Sequence, residues 1–509
     1  MKNARLEITL VLAGLTILSA TATALVSHFG WTLYYGDAEA HLNIARRILD
    51  TRTRDYDQIG TVWLPLPHLL TVTLVWNDRL WQTGLAGAIP SSACFVIAGA
   101  FLFAAMRLAT QSSAAALASL GIFALNPNLL YLQATPMTEP VSLAALMAVL
   151  YFSIRFRQTQ SLAAVAGAGL ASLAASMTRY EGWFVIPFGV LYLLLTARRR
   201  KIAATLLFLG IAALGPLYWL GHNWFVYSNA LEFFNGPYSA KSIYQQTLAH
   251  SVTPYPGDRD WRKTWLFFRT AAQLCAGWGA VSLAAGGVLA AIWKRMLWPL
   301  FFTALLPIFY LWSMHSGGTP IYVPKLWFSS YYNTRYGLSA LPLLAIAGGA
   351  LTLLAGSRLR AYVASAAVAI SILPWLLHPS PDNWICWKES QVNSEARRAW
   401  TNDAAAFLAS QYKPGQGIFT SFGDLTGIFR QAGIPLRETV HQGNVLQWLS
   451  ATRRPDLFLR QRWAVAIAGD EVANAVEQTT FKSGPRYHLV RSIHVPHAPA
   501  IEIYKRDDT

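Results

Sequence analysis

Residues 183–222 read WFVIPFGVLYLLLTARRRKIAATLLFLGIAALGPLYWLGH. Two apolar runs, 183–197 and 202–222, flank one tight basic cluster, Arg198-Arg199-Arg200-Lys201. An α-helix needs about 20 mostly apolar residues to cross a hydrocarbon core of roughly 30 Å. Cations packed between two such runs mark a short cytoplasmic connection in a polytopic membrane protein. The pattern recurs along the chain, with apolar stretches at approximately 8–28, 84–106, 112–132, 141–154, 162–177, 183–197, 202–222, 266–292, 296–314, 337–356 and 361–377. These eleven predict an all-α polytopic membrane domain over residues 1–378. The stretches 141–154 and 162–177 are short. Trp63–Trp76 is apolar too, but it carries Pro65 and Pro67 and reads as a re-entrant or interfacial segment.

Composition agrees. Of 509 residues, 13% are charged and 54% hydrophobic, against about 25% charged in ordinary soluble proteins. So apolar a chain cannot stay solvated, which excludes disorder and argues against a conventional cytosolic enzyme. The net charge of +16 fits nucleic acid, anionic lipid or membrane topology, and its distribution decides. Lys2 and Arg5, Arg107, Arg155 and Arg157, the Arg198–Lys201 cluster, Lys294 and Arg295, and Arg358 and Arg360 fall at the N-terminus and in alternate short connections, opposed only by Glu7. The positive-inside rule therefore puts the N-terminus in the cytoplasm and the C-terminus outside. No nucleic-acid partner is needed to explain the charge. Met1–Ala22 has the outline of a secretory signal, but its apolar run is long for one and is read as a retained span.

After about Pro379 the sequence turns polar and mixed. Gly417–Ser421, Trp463–Ala468, Tyr487–Val495 and Ala500–Lys505 have the length and residue types of strands, with helical stretches near 395–411, 424–432 and 470–479 between them. Residues 379–509 are expected to form a small extracytoplasmic α/β domain. Cys94, Cys275 and Cys386 lie far apart and read as small core residues rather than a metal or disulfide set.

The candidate chemistry lies in the connections on the expected outer side, at 31–83, 134–140, 177–183, 223–265 and 315–336. The first holds Tyr34-Tyr35-Gly36-Asp37-Ala38-Glu39-Ala40-His41. Two carboxylates at i and i+2 stand where a helix starts, and the helix dipole favours ionised Asp37; a plain Asp cap on a solvated helix explains them as well. The second holds Thr138-Glu139-Pro140, where Thr138 is a candidate cap and an acid between two apolar spans should face a protein cavity. The third, Thr178-Arg179-Tyr180-Glu181-Gly182, contains a cation and an acid that can simply pair. The last two contribute Tyr238 and Lys241, then Lys325, Tyr332 and Arg335. An arginine entering a span on the non-cytoplasmic side opposes the topological bias. A carboxylate can take a proton from a hydroxyl nucleophile, and Arg or Lys can hold a phosphate as its charge develops.

Gly36-Asp37-Ala38-Glu39, Thr138-Glu139-Pro140 and Arg179-Tyr180-Glu181-Gly182, set on many spans with an outer C-terminal domain, resemble the GT-C glycosyltransferases. Bacterial members similar to dolichyl-phosphate-mannose–protein mannosyltransferases and aminoarabinose transferases look closest, over most of residues 1–360. The resemblance implies an inverting transfer from a polyprenyl-phosphate-linked sugar to a hydroxyl of a protein, glycan or lipid acceptor. It makes Asp37 the general base, with Glu39 or Glu139 orienting the acceptor or binding a divalent metal where one is used. In that case Asp37 and Glu39 are the expected ligands. His41, Arg179, Glu181, Tyr238 and Tyr332 are expected to bind acceptor or donor, and Arg335, Lys241 or Lys325 to hold the lipid phosphate; these cations match by location only. The pair is Asp-x-Glu rather than Asp-Glu or Asp-x-Asp, which leaves open which acid is the base. An oligosaccharyltransferase is disfavoured by the small tail and its lack of a Trp-Trp-Asp-Tyr-Gly motif. The alternative class is a transporter or flippase for lipid-linked sugars, although transporters usually place their charges near the midplane.

Overall fold

The computed structural model describes residues 2–250, 254–481 and 484–507. Among these, eight helices are long and apolar enough to cross a membrane: Arg5–His28, Leu85–Thr110, Glu139–Thr159, Lys201–Tyr227, Trp261–Trp293, Leu297–His315, Thr334–Leu354 and Arg360–Leu377. This is a multi-pass membrane protein. The expected single span at 112–132 is instead a bent pair, Ser113–Ala124 and Pro127–Gln133, meeting at 67°. Asn126 caps the second helix through Leu129 N, and Pro127 opens it, so the first cannot continue through them. Counted as one, the pair makes nine. The other two expected spans are helices of 15 and 16 residues, Leu162–Ser176 and Glu181–Thr196. At 1.5 Å per residue they reach only about 22–24 Å, short of a full crossing. Trp63–Trp76 contains one ten-residue helix, Leu66–Val75.

The chain divides into two compact units. The first comprises Met1–Phe29, Thr61–Pro67 and Ala88–Glu389; the second comprises Gly30–Gly60, His68–Gly87 and Ser390–Thr509. Most of the first long connection, kept with the spans in the sequence reading, thus belongs to the same unit as the tail.

Within the first unit, small residues let the helices approach closely. Arg335 and Tyr336 ride on a 3-10 turn, Thr334–Ala340. The next residue, Gly337, lies so close to the Trp261–Trp293 helix that a Cβ would stand 2.4 Å from the Ala271 carbonyl. Only glycine fits there. The long helix breaks at Gly277, which adopts φ 82° and ψ 149°.

The second unit is built on a five-stranded sheet. Its strands are β1 (Ile418–Thr420), β2 (Thr439–Val440), β3 (Trp463–Ile467), β4 (Tyr487–Ile493) and β5 (Ile501–Arg506). Their order is β2-β1-β3-β5-β4, with β1 parallel to β2 and β3, and β5 antiparallel to β3 and β4. The four expected strands are present; β2, two residues long, was not expected. Side chains alternate across the sheet as the period of two requires. Ile418, Trp463, Val465 and Ile503 pack on one face with Trp400 and Leu408, and with Leu42 and Ala45 of the first long connection. Phe419, Ala464 and Ala466 pack on the other with Trp448, Val472 and Val476.

Candidate functional site

In the first unit, helix starts and one turn bring alternating charges into a buried line. Glu139 and Glu181 each open a helix, where the macrodipole favours a carboxylate. Arg179, between the helices Leu162–Ser176 and Glu181–Thr196, reaches both acids. Its Nε donates to Glu181 Oε1 at 2.7 Å, and its Nη1 donates to Thr138 Oγ1 at 2.7 Å and Glu139 Oε1 at 3.4 Å. Arg335 donates from Nε to the same Glu139 oxygen at 3.2 Å and from Nη1 to Glu389 Oε1 at 3.3 Å. Tyr310 accepts from Arg179 Nη2 at 2.9 Å and donates in turn to Glu181. Both guanidinium groups lie over the Tyr336 ring, at 5.1 and 4.9 Å.

The line therefore runs Glu181–Arg179–Glu139–Arg335–Glu389. All five are nearly closed off from solvent, with side-chain exposures of 16% or less. A buried charge survives only when paired, and here each cation has two carboxylate partners. Burial holds the Glu389 carboxyl above its usual range, against the pull of Arg335. Glu139, Arg179, Glu181, Tyr310, Arg335 and Ser339 border a cavity of about 30 Å³, room for roughly two waters and too little for a sugar without opening.

The second unit gathers the acids of the first long connection. Asp37 and Glu39 lie in the first turn of the helix Gly36–Leu49. Glu39 is buried between two arginines of the tail. Arg397 binds its Oε2, and Arg430 binds its Oε1 through Nε at 3.0 Å and Nη2 at 2.9 Å. Arg397 also donates to the carbonyls of Leu33 and Tyr34, at 3.1 and 2.8 Å. A Cβ on Gly427 would stand 2.5 Å from Glu39 Oε1. Asp37 is half-buried in the same turn. Asp424, whose side chain is exposed, lies within electrostatic reach of Arg397, Glu39 and Asp37. His41 Nδ1 lies 2.9 Å from His68 Nε2.

The structure thus groups Glu139, Arg179, Glu181 and Arg335 in one unit, and Asp37, Glu39 and His41 in the other. Tyr238, Lys241, Lys325 and Tyr332 are exposed, and none of them borders the Glu139 cavity. Lys241 lies 4.8 Å from the Phe234 ring. The donor set around Asp37 and Glu39 does not suit a metal: both Glu39 oxygens face guanidinium groups, and no three His, Cys, Asp or Glu side chains converge among the described residues. Sequence reasoning missed Tyr310, Glu389, Arg397, Asp424 and Arg430. No local motif marks them, because each acts on a residue far away in the chain.

Residues 73–219 match the family model for dolichyl-phosphate-mannose-protein mannosyltransferase. No curated protein is a significant sequence match. Among solved structures, the chain is similar to ArnT from Cupriavidus metallidurans bound to undecaprenyl phosphate, with 13% identity and a TM-score of 0.51 over 95% of this chain and 97% of that one. The apo state of the same protein gives 15% identity and a TM-score of 0.52 at the same coverage. The chain has the GT-C fold. The GT-C likeness extends over nearly the full length of both chains, the tail included. The matched family model falls on the part of the GT-C fold that carries Glu139, Arg179 and Glu181.

Proposed function

We propose that this protein is a membrane glycosyltransferase that moves a hexosyl or pentosyl group from a polyprenyl-phosphate donor to a hydroxyl acceptor, with inversion. The acceptor is a protein, glycan or lipid presented on the outer face of the cytoplasmic (inner) membrane. In this reading the N-terminus is cytoplasmic, and the tail, residues 379–509, is an extracytoplasmic (periplasmic) domain beside a transmembrane catalytic domain, residues 1–378. The family-model match carries the reading. The ArnT likeness, in a protein whose solved structure holds undecaprenyl phosphate, supports the lipid donor.

The chemistry asks for two things. A base must take the acceptor's proton as its oxygen attacks the anomeric carbon, and cations must stabilise the phosphate as the sugar's C–O bond breaks. Asp37 is assigned the first role, because Glu39 is committed to two arginines. Arg179 and Arg335 are assigned the second, as guanidinium groups bordering a cavity that Glu139 and Glu181 also border. Glu139 positions both arginines. No acid is needed on the leaving group, since a phosphate leaves as an anion.

The test is to incubate purified protein with a panel of polyprenyl-phosphate sugars and measure release of polyprenyl phosphate. Release with one donor, abolished in Asp37→Asn at unchanged expression and membrane insertion, is the expected result. No turnover with any donor would favour the transporter or flippase reading instead.

A further inference from the structure

Cys275 and Cys386, read from the sequence as separate core residues, meet inside the first unit. Cys275 lies on the Trp261–Trp293 helix just before its break at Gly277, and Cys386 is in the first turn of Ile385–Gln411. Both are 0% exposed. One carboxamide ties their backbones together: Asn128 Nδ2 donates to the Cys275 carbonyl at 3.0 Å, and Asn128 Oδ1 accepts from Cys386 N at 2.9 Å. Asn126 Nδ2 donates to the same Cys275 carbonyl at 2.9 Å. The Cys275 thiol donates to the Thr334 carbonyl at 3.2 Å, and the Cys386 thiol is pushed up in part by the neighbouring Cys275. The structure holds them as free thiols.

We propose that Cys275 and Cys386 form a disulfide in the mature protein. The oxidant is an external protein disulfide. One cysteine thiolate attacks it to give a mixed disulfide, and the second cysteine displaces the carrier. Two S–H bonds are lost, one S–S bond forms, and the external disulfide leaves as two thiols. Exchange belongs to membrane assembly, before the pair is enclosed. Once the pair is folded, burial pushes the Cys386 thiol well above its ordinary range, and the attacking thiolate becomes scarce. The inference rests on the sidedness proposed above, because structural disulfides persist in oxidising compartments.

The bond would act on the charged line. Thr334, whose carbonyl receives the Cys275 thiol, directly precedes Arg335. Cys386 stands one helical turn before Glu389, the acid that Arg335 binds. A covalent link here fixes both ends of the Arg335–Glu389 pair against the Gly277 break.

The test uses full-length protein purified without reductant, unfolded in the presence of iodoacetamide and weighed intact. The chain has three cysteines. One carbamidomethyl addition, on Cys94, is expected without prior reduction and three after it, with a cross-linked peptide joining Cys275 to Cys386. Three additions without reduction, or a cross-link to Cys94, would overturn the proposal. Cys275→Ala should release Cys386 and give two additions without reduction; a single addition in that variant would also overturn it. The readout is a mass, so an inactive preparation tests the disulfide as well as an active one does.

Discussion

Glu39→Gln separates a structural acid from a catalytic one. Its carboxylate is 8% exposed and faces Arg397 and Arg430, which are 7% and 11% exposed. Glutamine keeps the shape but turns one acceptor oxygen into an NH2 group, which then points its donors at a guanidinium. The two arginines lose their shared counter-charge while staying buried. Removing one partner of a buried ion pair typically costs about 3–5 kcal/mol. In a domain the size of the second unit, each kcal/mol shifts the melting midpoint by roughly 2–4 °C. The expected drop is therefore roughly 6–20 °C. Trp81, Trp400 and Trp463 are buried in the same core, so they contribute to the intrinsic fluorescence change followed during a thermal ramp in detergent. Asp37→Asn is the companion variant: melting unchanged, release of polyprenyl phosphate abolished. A Glu39→Gln protein that melts like wild type yet has lost transfer would refute the reasoning and move the base from Asp37 to Glu39.

Gly427→Ala should act on the same anchor, because its Cβ would stand 2.5 Å from Glu39 Oε1. A loss of about 1–3 kcal/mol is expected from overpacking, and an unchanged melting midpoint would contradict the close approach. His441 is buried, and burial with the nearby Arg47 charge holds it down at about 3. The unfolded chain binds its proton near pH 6.5, so this stabilisation is complete above that pH and is lost as pH falls toward 3. The slope is about 1.4 kcal/mol per pH unit. Replacing His441 with Asn should flatten the acid limb of melting between pH 6.5 and 4, and an identical limb would be the contrary result. Arg335→Lys leaves a point charge where a fork reaches Glu139 and Glu389. Losing one charge-assisted hydrogen bond, about 1.5–3 kcal/mol, should lower kcat/KM for donor cleavage about 10- to 100-fold; a wild-type value would remove Arg335 from the donor site.

The apolar lengths in the sequence were enough to reveal the membrane architecture, because a span is a local property. All eleven stretches are helical. What length alone hid was continuity. The Asn126-Pro127 pair, a helix start in itself, lies inside a run that reads as one span. The strands of the tail were legible from their β-branched and aromatic residues, whereas β2 was too short to show any period. The charged lines were legible in half. Glu139, Arg179, Glu181 and Arg335 stand out as ions beside apolar runs. Glu389, Arg397 and Arg430 sit in helices of mixed polarity, and only long-range folding gives them a partner. The same limit hid the membership of the first long connection in the second unit, since its helix Gly36–Leu49 packs on residues several hundred positions away.

The charges along the first unit's line do not balance. Three carboxylates pair with two guanidinium groups along it, and of the acids only Glu139 and Glu181 border the cavity. Full ionisation would leave an uncompensated negative charge among largely buried side chains, which is costly. Glu389, on a helix outside the spans, is an acid whose carboxyl burial pushes up, and its protonation would balance the line. An arriving phosphate needs the same guanidinium that Glu389 occupies. Protonated Glu389 can yield Arg335 at little cost, whereas ionised Glu389 competes with the phosphate for it. In the wild-type protein, donor cleavage should therefore weaken as pH rises through the raised range of Glu389, above that of an ordinary carboxylate. Glu389→Gln, which cannot ionise, should keep cleaving donor and lose that alkaline decline. The measurement is the pH profile of polyprenyl phosphate release for both proteins. Superimposable profiles would mean that Glu389 never contests Arg335, and the cation that receives the phosphate would have to be sought elsewhere.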